Sequence, residues 1–147
     1  MIVCDTGPLV AVLNKNDADH RRCLDLLETH PGPLLVPGPV LAEVCYFLET
    51  RVGPAAEARF LESIADEEIE LVDLTRADLL RMAELVRKYA DFPLGAIDAA
   101  VLAVAERLDV NEVATSDRRH FGAVRTNHPV PLRLLPDRPT RSVASTT

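Results

Sequence analysis

Three acidic residues stand alone in uncharged stretches of this chain. Asp5 is the only charged side chain between Met1 and Asn14, Glu43 the only one between Thr29 and Leu48, and Asp98 the only one between Phe92 and Ala105. A fourth, Asp117, closes the strand-like run Val113-Ala114-Thr115-Ser116. A carboxylate on an apolar element is costly unless it is paired, protonated or bound to a cation. No lysine or arginine stands alone on a comparable element, so a shared cation is the expected partner. On a helix, Asp98 shares its face with Val101, Leu102 and Ala105, and Glu43 shares its face with Pro39, Tyr46 and Phe47. Neither has a basic residue three or four positions away, so any counter-charge must come from tertiary structure.

Acids gathered in one pocket raise each other's pKa unless a divalent cation keeps them ionised. An all-oxygen donor set favours Mg²⁺ or Mn²⁺ over zinc. Such ions keep room for a substrate phosphate, and they can activate water and stabilise a leaving oxygen. Metal-assisted phosphodiester hydrolysis is the chemistry these residue types suit best. Any one of the four acids, taken singly, is more simply a helix cap or half of a salt bridge. Four on separate elements, two of them at strand ends, favour a common site.

The elements that must position them alternate between strand and helix. Short apolar runs at residues 2–4, 34–36, 69–72, 113–115 and 132–134 read as strands. Helices are expected from Thr6 as cap to about Leu13, after a cap at Asp17, from about Val40 to Arg51, and from Pro54 to about Asp66. Two more are expected from a Thr75–Asp78 capping box to about Tyr89, and over 96–108. This alternation predicts an α/β fold with a mostly parallel sheet of about five strands flanked by helices. Ligands of open sheets bind beyond the carboxyl ends of the strands, which is where Asp5 and Asp117 fall.

The chain has 147 residues, enough for one domain, and 48% of them are hydrophobic. No apolar run is long enough to span a membrane, and the N-terminus lacks the basic start and cleavage site of a signal peptide. A cytoplasmic protein is expected. Cys4, Cys23 and Cys45 form no CxxC pair and read as reduced packing residues. The net charge of −7 is unevenly spread: residues 118–147 hold six arginines against the single acid Asp137. Such asymmetry marks either a polyanion-binding edge or a solvated tail. There is no P-loop, and Gly7 is isolated, so no dinucleotide-binding loop is present. A receiver domain would need a late lysine, but the only lysines are Lys15 and Lys88. His20, His30, His120 and His128 lie in polar or turn segments and are expected at the surface.

At its acidic motifs the chain resembles PIN-domain ribonucleases, specifically the VapC-type toxins of toxin–antitoxin pairs. The matching stretches are Ile2-Val3-Cys4-Asp5-Thr6-Gly7-Pro8-Leu9, Val40-Leu41-Ala42-Glu43-Val44, Asp91-Phe92-Pro93-Leu94-Gly95-Ala96-Ile97-Asp98-Ala99 and Thr115-Ser116-Asp117-Arg118-Arg119-His120-Phe121. Each motif alone is weak; their order and spacing together are specific. The resemblance covers about residues 1–135 and implies a PIN-like three-layer domain there; residues 136–147, rich in Pro, Ser, Thr and Arg, read as a disordered tail. It implies a Mg²⁺- or Mn²⁺-dependent endoribonuclease with Asp5, Glu43, Asp98 and Asp117 as its metal site. It also implies a homodimer inhibited by a small antitoxin, within a larger toxin–antitoxin complex. Pro37-Gly38-Pro39 departs from the Ser/Thr-rich approach common before the family's glutamate, and Arg141 inherits no role.

On this reading Asp5 and Asp98 are the principal metal ligands, and Glu43 and Asp117 complete the cluster. Thr6, Thr115 and Ser116 orient carboxylates or bind substrate, with a capping role the alternative for each. Arg118 and Arg119 hold flanking phosphates of RNA or are ordinary surface charges. Two rivals stay open: a catalytically silent binding module on the same fold, and a metal-dependent DNA nuclease.

Overall fold

The computed structural model describes residues 1–138. Among them are five strands, β1 (Ile2–Cys4), β2 (Leu34–Pro37), β3 (Glu70–Val72), β4 (Glu112–Ala114) and β5 (Arg133–Leu135). The helices are α1 (Thr6–Leu13), α2 (His20–Thr29), α3 (Gly38–Arg51), α4 (Pro54–Ala65), α5 (Arg76–Lys88), α6 (Ala96–Arg107) and α7 (Arg118–Ala123). The strands form one sheet in the order β3-β2-β1-β4-β5, and every pairing is parallel. Chain order runs outward from β1 through β2 to β3 on one side and through β4 to β5 on the other. The crevice between β1 and β4 is therefore a topological switch point, the usual ligand position in such sheets.

The core is built from small and branched aliphatics, because few aromatics are available. Every residue from Ala99 to Ala105 is buried, so α6 is an interior helix. It packs on β1 and β2, with α5 against it, while α3 packs on β2, β3 and α6 and carries α1 and α4 at its sides. Pro39 and Pro54 sit in the first turns of α3 and α4, where a missing N–H costs nothing. Gly53 joins these helices at φ +136°, a conformation closed to residues with a Cβ. Cys4, Cys23 and Cys45 are all free thiols, and burial pushes Cys4 up to about 12.

The capping box expected at Thr75 and Asp78 is present. Asp78 N–H donates to Thr75 Oγ1 at 3.1 Å, and Thr75 N–H donates to Asp78 Oδ2 at 2.9 Å. Asp78 also accepts from Arg107 Nε at 3.0 Å, which ties α5 to α6. Two other caps differ from expectation. Asp5, not Thr6, is the N-cap residue of α1, and Thr6 is its first helical residue. Helix α2 begins at His20 behind Asp19, because the Asp17 side chain accepts from Asp19 N–H at 2.8 Å in the preceding turn. The histidines also differ. His30 and His128 side chains are only 9% and 5% exposed, paired with Glu112 at 3.0 Å and Asp109 at 3.2 Å. His128 Nε2 also lies 3.0 Å from the Ala105 carbonyl.

The segment after β5 is tied back to the body. Arg22 Nη2 donates to the Asp137 carbonyl at 2.7 Å, and Arg118 donates to the carbonyls of Leu134 and Pro136. The rest of the expected tail, residues 139–147 with Arg141, lies outside the described residues.

Candidate active site

Register brings the first pair of site residues together. Cys4 pairs with Ala114, so the residues that follow, Asp5 and Thr115, leave adjacent strand ends side by side. Asp5 N–H donates to the Ala114 carbonyl at 2.8 Å, continuing the ladder one step. Thr115 Oγ1 donates to Asp5 Oδ2 at 2.9 Å and accepts from Asp117 N–H at 2.9 Å. One buried hydroxyl thus sets the spacing of two carboxylates. Glu43 arrives from the second turn of α3 and Asp98 from the first turn of α6.

Asp5, Glu43, Asp98 and Asp117 line one cleft of ≈ 480 Å³, together with Thr6, Gly7, Ser116, Asp17, Asp19 and Arg51. The four acids singled out in the sequence therefore line one cleft at the β1–β4 switch point. Among the described residues, Asp5, Glu43 and Asp98 have no salt-bridge partner. Asp5 is 7% exposed, and its burial, with Asp98 and Glu43 nearby, pushes it up to about 6 against the pull of the Thr6 N–H and the Thr115 hydroxyl. Burial and the neighbouring Asp117 and Glu43 carboxylates also raise Asp98.

Asp117 behaves differently. Burial works to raise it, but bonds from the His120 backbone and ring outweigh that and hold it below the usual carboxylate range. Asp117 caps α7, accepting from His120 N–H at 3.0 Å while its other oxygen meets His120 Nδ1. Phe92 stacks edge-on against the His120 ring, with centroids 5.1 Å apart. Asp98, Asp117 and His120 each offer a ligand atom within 4.8 Å of the others. His120 is thus a part of this site, not the surface residue expected. Its one sequence signal is the three-residue spacing from Asp117, visible only once α7 is known to be a helix.

Gly7 lets α1 approach the Ser116 loop closely. A Cβ there would lie 2.7 Å from Ser116 Oγ and 3.0 Å from Ser116 Cβ. Thr6 is 5% exposed, lines the cleft, and its Oγ1 finds no partner among the described residues. Arg118 is half-buried with its guanidinium on the Leu134 and Pro136 carbonyls, and Arg119 is exposed; neither lines the cleft. The basic residue that does is Arg51, on the C-terminal turn of α3.

The donor set fits a hard divalent cation. It is all carboxylate oxygen at its centre, unneutralised by arginine or lysine, and flanked by an orphaned buried hydroxyl. His120, whose Nδ1 meets Asp117, adds a nitrogen beside these oxygens.

Comparison with known proteins agrees with this geometry. Residues 2–126 match the PIN domain family. Over 124 residues the chain is 34% identical to Ribonuclease VapC26 of Mycobacterium tuberculosis, covering 84% of this chain and 92% of that one. The fold superposes on the crystal structure of Mycobacterium tuberculosis VapC20, a sarcin–ricin loop cleaving toxin. That match has a TM-score of 0.78 at 20% identity, over 84% of this chain and 95% of that one. A chain in the crystal structure of VapBC2 from Rickettsia felis, bound to a DNA fragment from its promoter, matches at TM-score 0.67 and 17% identity. It covers 92% of this chain and all of that one (100%).

Proposed function

The chain belongs to the PIN-domain family and, within it, resembles the VapC ribonucleases, and from that premise we propose a divalent-metal-dependent endoribonuclease that serves as the toxin of a toxin–antitoxin pair. The observation that carries the reading is the convergence of four carboxylates from β1, α3, α6 and the β4–α7 turn on one cleft, three of them without a cationic partner. Uncompensated acids at that density repel one another when ionised, and a bound divalent cation removes that cost.

In this reading Asp5 and Asp98 are the principal ligands of Mg²⁺ or Mn²⁺, with Glu43 and Asp117 completing the set directly or through water. When bound, the ion supplies charge to the scissile phosphate and lowers the pKa of water. The protein's own share is positioning. Thr115 fixes Asp5 relative to Asp117, and His120 fixes the Asp117 carboxylate, so the two acids are held in set directions. Ser116, exposed at the cleft, offers a hydroxyl to orient water or a phosphate oxygen, and the buried Thr6 hydroxyl lies behind it. The antitoxin would meet a strongly acidic groove, to which a basic side chain is complementary. No helix among the described residues is long and apolar enough to cross a membrane, which suits action on RNA in the cytoplasm.

The test compares wild type with Asp98→Asn. Expression of the wild type should arrest growth and create new RNA 5′ ends, while the variant, still folded, should do neither. Full cleavage by Asp98→Asn would refute the assigned site. Cleavage of single-stranded DNA as readily as RNA by the pure protein would favour the DNA-nuclease alternative.

A further inference from the structure

An acidic cleft has an electrostatic difficulty with a polyanionic substrate. Six carboxylates line it, from Asp5, Asp17, Asp19, Glu43, Asp98 and Asp117. Divalent ions offset part of that charge at the reacting phosphate, but not at its neighbours. The sequence offered Arg118 and Arg119 for those neighbours, yet Arg118 is bound to the β5 end and Arg119 lies away from the cleft.

Arg51 is the cationic residue lining the cleft, and among the described residues it forms no salt bridge. What holds it off the carboxylates is on its own helix. The Arg51 guanidinium carbon sits 4.2 Å above the centroid of the Phe47 ring, one turn back. Tyr46 braces that ring, with centroids 5.5 Å apart. The negative end of α3 adds a further attraction for the cation. Glu43, Phe47 and Arg51 stand at four-residue intervals on one face of α3, which presents in line an acid, an aromatic platform and an exposed, unpaired guanidinium. Eight residues of helix separate the first from the last by about 12 Å. That offset along the helix axis suits a phosphate next to the one held beside Glu43.

We propose that Arg51, propped on Phe47, binds a phosphate of the RNA strand neighbouring the scissile one and so anchors substrate along the acidic cleft. Resting on the endoribonuclease reading, the proposal adds a substrate-binding residue to it. A stacked guanidinium keeps its N–H edges free for bidentate contact with phosphate, which a lysine cannot reproduce. Such an anchor strengthens substrate and transition state alike, so its loss falls on KM more than on kcat.

The experiment measures binding of a short mixed-sequence single-stranded RNA by fluorescence anisotropy, in Ca²⁺ over a range of salt. Wild type, Arg51→Gln and Arg51→Lys are compared, with cleavage kinetics in Mn²⁺ and calorimetric Mn²⁺ titration alongside. Arg51→Gln is expected to bind RNA about ten-fold more weakly and to shrink the slope of log affinity against log salt by about 0.7. KM should rise with kcat and Mn²⁺ affinity unchanged. Arg51→Lys should keep the salt slope while regaining only part of the affinity. Unaltered RNA affinity and slope in Arg51→Gln would overturn the proposal and leave the nuclease reading standing. Failure of the wild type to bind or cut RNA would overturn both. A purely structural Arg51 would lower thermal stability without touching the salt slope, and that result also overturns it.

Discussion

Replacing Asp5 by asparagine should stabilise the metal-free protein. Asp5 is the most buried of the four acids, and in the folded chain its pKa is pushed from the usual 3.8 to about 6. For an acid raised on folding, the folded state holds a proton that the unfolded chain has released. Stability therefore falls as pH rises from 3.8 towards 6, and the full penalty is present above that window. A shift of roughly two pK units amounts to about 3 kcal/mol above the window. Asparagine keeps the shape and can still accept the Thr115 hydroxyl, but it carries no charge at any pH. In EDTA well above pH 6, Asp5→Asn should raise the melting temperature by about 5–10 °C for a domain of this size. Near pH 3.8 the difference should have nearly vanished, because Asp5 is then protonated in the folded chain and half protonated in the unfolded one. Added Mn²⁺ should stabilise the wild type, by about 2.7 kcal/mol at a hundred-fold excess over Kd, and leave the variant unmoved. The measurement is denaturant and thermal unfolding of both proteins across pH, with and without the ion. A variant less stable than wild type in EDTA at neutral pH, or an advantage that persists unchanged near pH 3.8, would refute the claim that Asp5 is held ionised at a cost.

Thr115→Val removes the hydroxyl that bridges Asp5 and Asp117 without changing the side chain's volume. It should cost about 1–2 kcal/mol in unfolding measurements. Because that hydroxyl lowers the Asp5 pKa, the acidic limb of the cleavage pH profile should move to higher pH. Gly7→Ala should cost about 1–3 kcal/mol by pressing on Ser116, and Ser116→Gly in the same chain should recover most of the loss. A double variant no more stable than Gly7→Ala alone would show that the strain lies elsewhere.

The alternation of short apolar runs and capped helices was enough to define an α/β sheet, and all five strands fall within a residue or so of expectation. The acids were legible for a simple reason: apolar segments leave a charged side chain nowhere to hide, so Asp5, Glu43 and Asp98 stand out against Val, Leu and Ala. Helix α7 was not legible. It has six residues and buries only Phe121, too little for any periodicity to register. With α7 went His120, whose tie to Asp117 exists only when one helical turn separates them. Thr6 was mistaken for a cap because threonine prefers that position; the carbonyl end of β1 and the Thr115 hydroxyl hold Asp5 there instead. His30 and His128 were misplaced for a related reason. Their polar sequence neighbours conceal carboxylate and carbonyl partners contributed from distant segments. Arg51 carries no signal in the sequence, since a helix-terminal arginine is ordinary until the helix is known to border the cleft.

The cleft draws its carboxylates from four places spread between residue 5 and residue 117, and the strand that seats the last of them pairs with the first strand made. During synthesis, then, Asp5 is joined by Glu43 and Asp98 well before Asp117 is made. A fragment that stops short of β4 carries three of the four acids but lacks both Asp117 and the strand that pairs with β1 beside Asp5. The full set of carboxylates therefore comes together only when β4 closes on β1, late in the making of the sheet.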